Sequence, residues 1–251
     1  MYHGPRDIRI EEVPIPAVRD GQTLIRVERS GVCGTDATEW VAGPKTFPIE
    51  HRHTVSGHLG PMILGHEFVG EVVTADPATD LAAGDRVVSG AGVWCGRCPR
   101  CRQGRTNLCA QYMTLGLNVN GGMAQFVAVP SQTLRRVPAG LPLEHAGLAQ
   151  PLAVGIHAAR RAGVHNGERV VVIGAGAIGS FVLAGLKHLV NAEIAVIDFP
   201  GFRVDRASRL GATHLVAVGV DSRRGRGGIR RVQARCGDRG QWCSRATGHG
   251  D

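Results

Sequence analysis

Four closely spaced cysteines constrain this chain more than any other feature. Cys95, Cys98, Cys101 and Cys109 are separated by two, two and seven residues. Thiolates this close in sequence can wrap one tetrahedral ion and leave no position open. Such a closed site contributes folding energy to its own lobe and does no chemistry. Residues 94–110 are therefore expected to form a structural zinc lobe, the other reading being a redox or accidental cluster. Seven cysteines lie in a chain whose N-terminal stretch, MYHGPRDIRIEE, carries no apolar signal-peptide core. That combination points to metal or redox chemistry more than to disulfides. No apolar run approaches the length of a membrane span, so a soluble cytoplasmic protein is expected.

A net charge of +8 would suit a nucleic-acid partner, but its location argues otherwise. Between Val220 and Asp251 stand eight Arg against three Asp, so the tail supplies +5 of the total. The rest of the chain is close to balanced. Arg97, Arg100, Arg102 and Arg105 in the cysteine lobe offer only a modest basic face. Neither a nucleic-acid nor a membrane partner is expected. The hydrophobic content of 43% is ample for a packed core, and 251 residues suit one large domain or two ordinary ones.

The first part of the chain reads as turn-rich β structure. Residues 8–30 alternate apolar and polar around Pro14 and Pro16, and Met1 stands so near the first strand that a few preceding residues are expected. GVCGTD follows at Gly31–Asp36. Cys33 there is either a buried structural thiol or a metal ligand. PMILGHEFVG spans Pro61–Gly70 and places His66 beside Glu67 between two glycines. The pair is either a solvated strand end or, with Cys33, part of a metal site with an open position. His51, His53 and His58 occupy a loop with no ligand spacing. Strands resume at 69–73, 86–88, 121–129 and 133–137. Residues 144–161 then shift to helical spacing, interrupted by Pro151. Gln150, just before that proline, is biased away from helix and either faces a cavity or ends a solvated helix.

Residues 168–198 read as strand, turn, helix, strand. A continuous buried-type strand at Arg169–Ile173 leads into Gly174, Gly176 and Gly179 of a GxGxxG turn, with Ala177 and Ile178 opening the helix. Asp198 follows the first glycine by 24 positions, which makes the motif a strong dinucleotide signal, the other reading being an ordinary strand-to-helix turn. Backbone N–H groups at the helix start would meet a pyrophosphate. Asp198 would accept hydrogen bonds from the adenosine ribose and repel a 2′-phosphate, favouring NAD over NADP, although Arg203 lies nearby. A further helix at 203–210 and a strand at 211–218 follow. Beyond Val220 the apolar period stops, with seven Gly in 32 residues and with Cys236 and Cys243 at no ligand spacing.

In these residues the sequence resembles the zinc-dependent medium-chain dehydrogenases, in particular the polyol branch of sorbitol and butanediol dehydrogenases. The resemblance runs from about Tyr2 to Val218 through GVCGTD, GHEFVG, the four-cysteine lobe, QPLAVGIHA and GAGAIG. It implies an α/β protein with a β-rich, GroES-like catalytic domain at 1–152 and the first half of a Rossmann NAD-binding domain at 153–219. It further implies a substrate cleft between them and a homo-oligomer built on a later segment. Cys33 and His66 would hold a catalytic zinc and Glu67 would enter or leave its shell. Gln150 stands where the polyol branch has a glutamate ligand, so it would bind more weakly or hold a water. Thr35 would carry the substrate proton outward, Asp36 would orient an imidazole, and Thr38 replaces the usual relay histidine. Zinc would lower the pKa of a small secondary alcohol or polyol, and hydride would pass to NAD. Family members are expected to run roughly a hundred residues longer. Residues 220–251 are therefore expected to be an out-of-frame or pseudogene-like tail, or else a basic disordered tail with loose RNA or DNA affinity. If the chain is a remnant, it would bind zinc without turnover.

Overall fold

The computed structural model describes residues 1–218, with the backbone of two short paired strands at Val220–Asp221 and Arg226–Gly227. The expectation for the remainder of the 220–251 tail lies outside the described residues. The chain divides into two compact units, Met1–Gln150 and Pro151–Asp251.

In chain order the first unit contains β1 (Tyr2–Gly4), β2 (Asp7–Ile8), β3 (Gln22–Ser30), α1 (Gly34–Ala42), β4 (Phe68–Thr74), β5 (Arg86–Ser89), β6 (Gly92–Val93), α2 (Pro99–Arg102), β7 (Met113–Thr114), β8 (Phe126–Pro130), β9 (Leu134–Arg136) and α3 (Leu143–Ala146). Five strands form an antiparallel sheet in the order β8-β3-β4-β5-β9. Its alternation places Ile25, Phe68, Val72, Val87, Val127, Val129 and Leu134 in one buried cluster. Each such side chain contributes about 1.5–3 kcal/mol by leaving water.

A backbone cross-tie beside this sheet positions the loop that carries His66. The N–H groups of Gly121, Gly122 and Met123 donate to the carbonyls of Ile63, Gly65 and Leu64 at 2.8–2.9 Å. Gly65 has φ +97°, and a Cβ there would lie 2.7 Å from Met123 Cγ. That explains the glycine on sterics alone. A Cβ on Gly121 would strike the Gly65 and Leu64 carbonyls, which are backbone and cannot swing aside. Gly121→Ala is therefore expected to cost about 3 kcal/mol or more, read as a lower denaturant midpoint at unchanged slope.

α4 (Ala149–Arg161) spans the division between the units. The second unit continues with β10 (Arg169–Ile173), α5 (Ala177–Leu189), β11 (Glu193–Asp198), α6 (Phe202–Arg209) and β12 (His214–Ala217). The three strands are parallel in the order β10-β11-β12, in register from Arg169 opposite Glu193. Leu183 and Leu186 of α5 and Ala207 of α6 pack with Val172, Ile194 and Val196. The fully buried strand expected at 169–173 is β11 instead. Ile194, Ala195 and Val196 are all buried there, whereas Ile173 of β10 is 81% exposed. β11 is central and β10 is an edge strand among the described residues, and only the central position is covered throughout. No helix among the described residues is long and apolar enough to cross a membrane.

Candidate active site and metal centres

The four-cysteine lobe is closed by local backbone. Cys98 caps the short helix α2, whose third residue is Cys101, and Cys109 follows a single 3₁₀ turn at Thr106–Leu108. The paired strands β6 and β7 flank the lobe on either side in sequence. All four sulfurs lie within 4.8 Å of one another, with Cys98 Sγ 3.6 Å from Cys101 Sγ and 4.0 Å from Cys109 Sγ. The Cys109 sulfur accepts N–H bonds from Cys95 at 3.3 Å and Gln111 at 3.2 Å. Backbone N–H bonds, led by that of Ala110, lower Cys98 to about 6. Burial and the adjacent Cys98 raise Cys101 to about 12. The thiols thus cannot all ionise against one another, while a divalent cation would stabilise all four as thiolates. The donor set fits zinc.

A second cluster comprises Cys33, His66 and Glu67, whose ligand atoms also lie within 4.8 Å of one another. Cys33 is the N-cap of α1, and its N–H donates to Asp36 Oδ2 at 2.8 Å. This helix was not legible in the GVCGTD stretch. The next strand crosses close by, since Gly31 N–H donates to the Glu67 carbonyl at 2.6 Å. His66 is buried, and its Nδ1 has no hydrogen-bond partner. Asp36 Oδ1 is likewise buried and unpaired, 3.9 Å from His66 Nδ1. Burial raises the Asp36 carboxyl above the usual range. Asp36 faces the imidazole through Oδ1, at 3.9 Å without a closed hydrogen bond, while its other oxygen, Oδ2, holds the Cys33 backbone. A thiol, an imidazole and a carboxylate brought within 4.8 Å of one another form a donor set that a bound divalent cation would account for. This cluster also fits zinc.

Thr35 Oγ1 lies 3.7 Å from Cys33 Sγ, and Thr38 turns back to the Gly34 carbonyl at 2.9 Å. Gln150 is half-buried inside α4. The expected break at Pro151 falls earlier, between α3 and α4 at Gly147–Leu148, because Pro in a first turn lacks only an N–H that would be unpaired anyway. Glu39, buried in α1, needs no metal. Its carboxylate accepts from Lys45 N–H, Thr46 N–H and Thr46 Oγ1 at 2.5–2.8 Å. Gly31 is the local device that admits Glu67, since a Cβ there would sit 2.5 Å from Glu67 Oε2. Gly31→Ala should push that carboxylate away and weaken zinc binding about 10- to 100-fold, measured by chelator competition, with little change in thermal midpoint.

In the second unit, β10 runs into Gly174 (φ +91°), and Gly176 is the N-cap of α5, whose first residues are Ala177 and Ile178. Gly179 packs where any Cβ would strike the Gly174 carbonyl. Asp198 ends β11 nearly buried, and its two carboxylate oxygens accept from Ala175 N–H and Phe199 N–H, both at 2.7 Å. Those bonds, the Ala175 one foremost, hold its carboxyl below the usual carboxylate range. Arg203 is exposed, with its guanidinium carbon 6.0 Å from the Phe202 ring centroid. Sequence reasoning passed over Ala175 and Arg206, because neither a motif spacer residue nor a helical arginine carries a signal by itself.

The first unit is β-rich and holds two clusters of zinc-type donors, and the second is a parallel α/β unit with a glycine-rich turn. Residues 19–139 match the alcohol dehydrogenase GroES-like domain. Sorbitol dehydrogenase of Bacillus subtilis is 33% identical over 87% of this chain and 60% of its own length. The crystal structure of 2R,3R-butanediol dehydrogenase from Bacillus subtilis aligns with TM-score 0.79 at 32% identity, covering 86% of this chain and 61% of that one. Two further neighbours were solved with cofactor. A short chain alcohol dehydrogenase from E. coli CFT073 holds NADH (25% identity, TM-score 0.76, 86% of this chain and 60% of that one). A zinc-binding dehydrogenase from Sinorhizobium meliloti 1021 holds NADP (30%, 0.76, 86% and 60%). The chain contains the alcohol dehydrogenase GroES-like domain and, over most of its length, is similar to zinc-type dehydrogenases such as sorbitol and butanediol dehydrogenases. It spans about 60% of the length of the curated relatives it matches.

Proposed function

We propose that this chain carries the metal and dinucleotide machinery of a cytoplasmic dehydrogenase that oxidises a small secondary alcohol or polyol. The observation that carries the reading is the convergence of Cys33, His66 and Glu67 in the same unit as a closed four-cysteine set. Cys33 and His66 would hold the catalytic zinc, with Glu67 as the third protein ligand and Gln150, a neutral amide, as a weaker candidate. When bound, zinc supplies Lewis-acid polarisation of the alcohol oxygen, and the nicotinamide accepts hydride.

The chain's own residues set up that chemistry. Thr35, beside Cys33, would take up and pass on the alcohol proton. Asp36 fixes the Cys33 backbone and so the direction of its thiol. The N–H groups opening α5, at Ala177 and Ile178, would receive the pyrophosphate behind Gly174, Gly176 and the close-packed Gly179. Asp198, kept ionised by two backbone donors, would repel a 2′-phosphate and so favour NAD; Arg203 would flank the adenosine end. Cys95, Cys98, Cys101 and Cys109 would hold a structural zinc.

The test is NADH formation by the zinc-loaded full chain over a panel of polyols and secondary alcohols, repeated after chelation. Zinc-dependent NADH supports an enzyme. Zinc binding without NADH on any alcohol would replace it with a non-catalytic zinc-binding reading.

A further inference from the structure

Arg206, on α6, reaches across to the glycine-rich turn, where its Nη2 donates to the Ala175 carbonyl at 2.7 Å. Ser180 Oγ donates to the same carbonyl at 3.3 Å, and Asp198 accepts the Ala175 N–H from the other side. Ala175 itself is 2% exposed. The middle residue of the turn is thus held at both its N–H and its carbonyl, by side chains from β11, α5 and α6.

Stability does not explain this arginine. Its Nε is buried without a partner, and its guanidinium carbon lies 5.6 Å from the Phe202 ring centroid. A buried unpaired donor is a cost that a methionine of similar reach would avoid. What the guanidinium adds is orientation. A trans peptide is planar, with its carbonyl and the following N–H pointing in opposite directions. Tying the Ala175 carbonyl back to α6 turns the Gly176 N–H away from α6. It also fixes the plane from which the first turn of α5 departs.

We propose that Arg206 is a positioning residue for dinucleotide binding, acting through the Ala175–Gly176 peptide to aim the donors at the start of α5. This rests on the dinucleotide reading above. Asp198 and Arg206 then form one clamp, in which the acid anchors the turn and the arginine sets its rotation. Pre-set donors need no reordering when the pyrophosphate arrives, so the gain appears in affinity rather than in fold stability.

The test uses the full chain as wild type, Arg206→Met and Arg206→Lys, with NADH fluorescence titration, thermal midpoint and amide exchange of the unliganded turn. Arg206→Met should weaken NADH binding roughly tenfold or more, the scale of one hydrogen bond from a charged donor. Its thermal midpoint should hold or rise while the Gly176 amide exchanges faster. Arg206→Lys, which keeps one charged donor, should recover most of the affinity. Unchanged NADH affinity in Arg206→Met would overturn the proposal. So would a variant that unfolds or loses thermal stability along with affinity, since that is a structural role. If the wild type binds no NADH, the dinucleotide reading itself fails; the amide-exchange arm, which needs no cofactor, reports on the clamp separately.

Discussion

Replacing His66 with Ala is expected to lower NAD-linked alcohol oxidation by about a thousandfold or more, the equivalent of several kcal/mol of lost transition-state stabilisation. The same variant should lose one zinc per chain and keep the ion of the four-cysteine set. His66 is buried with an unpaired ring nitrogen, beside the Cys33 thiol and the Glu67 carboxylate. Without the imidazole, a thiol and a carboxylate remain, too few protein ligands for a catalytic zinc. Because the small Ala removes a buried side chain, the thermal midpoint should fall modestly. Zinc analysis separates the two effects. A His66→Ala protein that retained both ions and full activity would exclude His66 as a ligand.

Cys98→Ser should produce the largest structural effect. The Cys98 sulfur lies 3.6 Å from Cys101 and 4.0 Å from Cys109, and Cys98 is the N-cap of α2. It is also the thiol whose pKa is lowered furthest, so it would be the first to ionise toward an incoming cation. Structural zinc in small peptides supplies on the order of 10 kcal/mol of folding free energy. The lobe has little else, since none of the α2 residues is buried. Loss of the ion should therefore free residues 94–110 to exchange and to be cleaved by protease. The five-stranded sheet, with its own core, should remain protected. Chelation of the wild-type chain should reproduce that pattern. If the lobe stayed protected after either treatment, its fold would not depend on metal.

Much of this was legible in the chain because the relevant signals are local. Cysteine spacing needs no long-range partner to be read, and neither does a glycine-rich turn with an acid at the end of the next strand. The parallel β10-β11-β12 unit with α5 and α6 follows from such patterns, with element ends displaced by a residue or a few. Where local reasoning went astray, a competing local rule or a neighbour decided. Gln150 sits inside α4 because its proline falls in the first turn, where a missing N–H breaks no bond. Residues 169–173 look like a buried strand by composition, but burial depends on rank in the sheet, and β11 holds the central place.

The sequence by itself determined which side chains are available for metal and dinucleotide, and the local turns that present them. Only the tertiary structure decided what those side chains do to one another. Cys33 and His66 are 33 positions apart and meet because β3 and β4 pair antiparallel, with the backbone cross-tie from Gly121–Met123 holding the loop before β4. Asp36 divides its carboxylate between the Cys33 backbone and the face toward the imidazole, and Arg206 finds the Ala175 carbonyl from another helix. Spacing along a chain carries chemistry that is complete within a few residues. Orientation within a site is set by packing between distant segments, where distances of 2.7 and 3.9 Å separate a hydrogen bond from none.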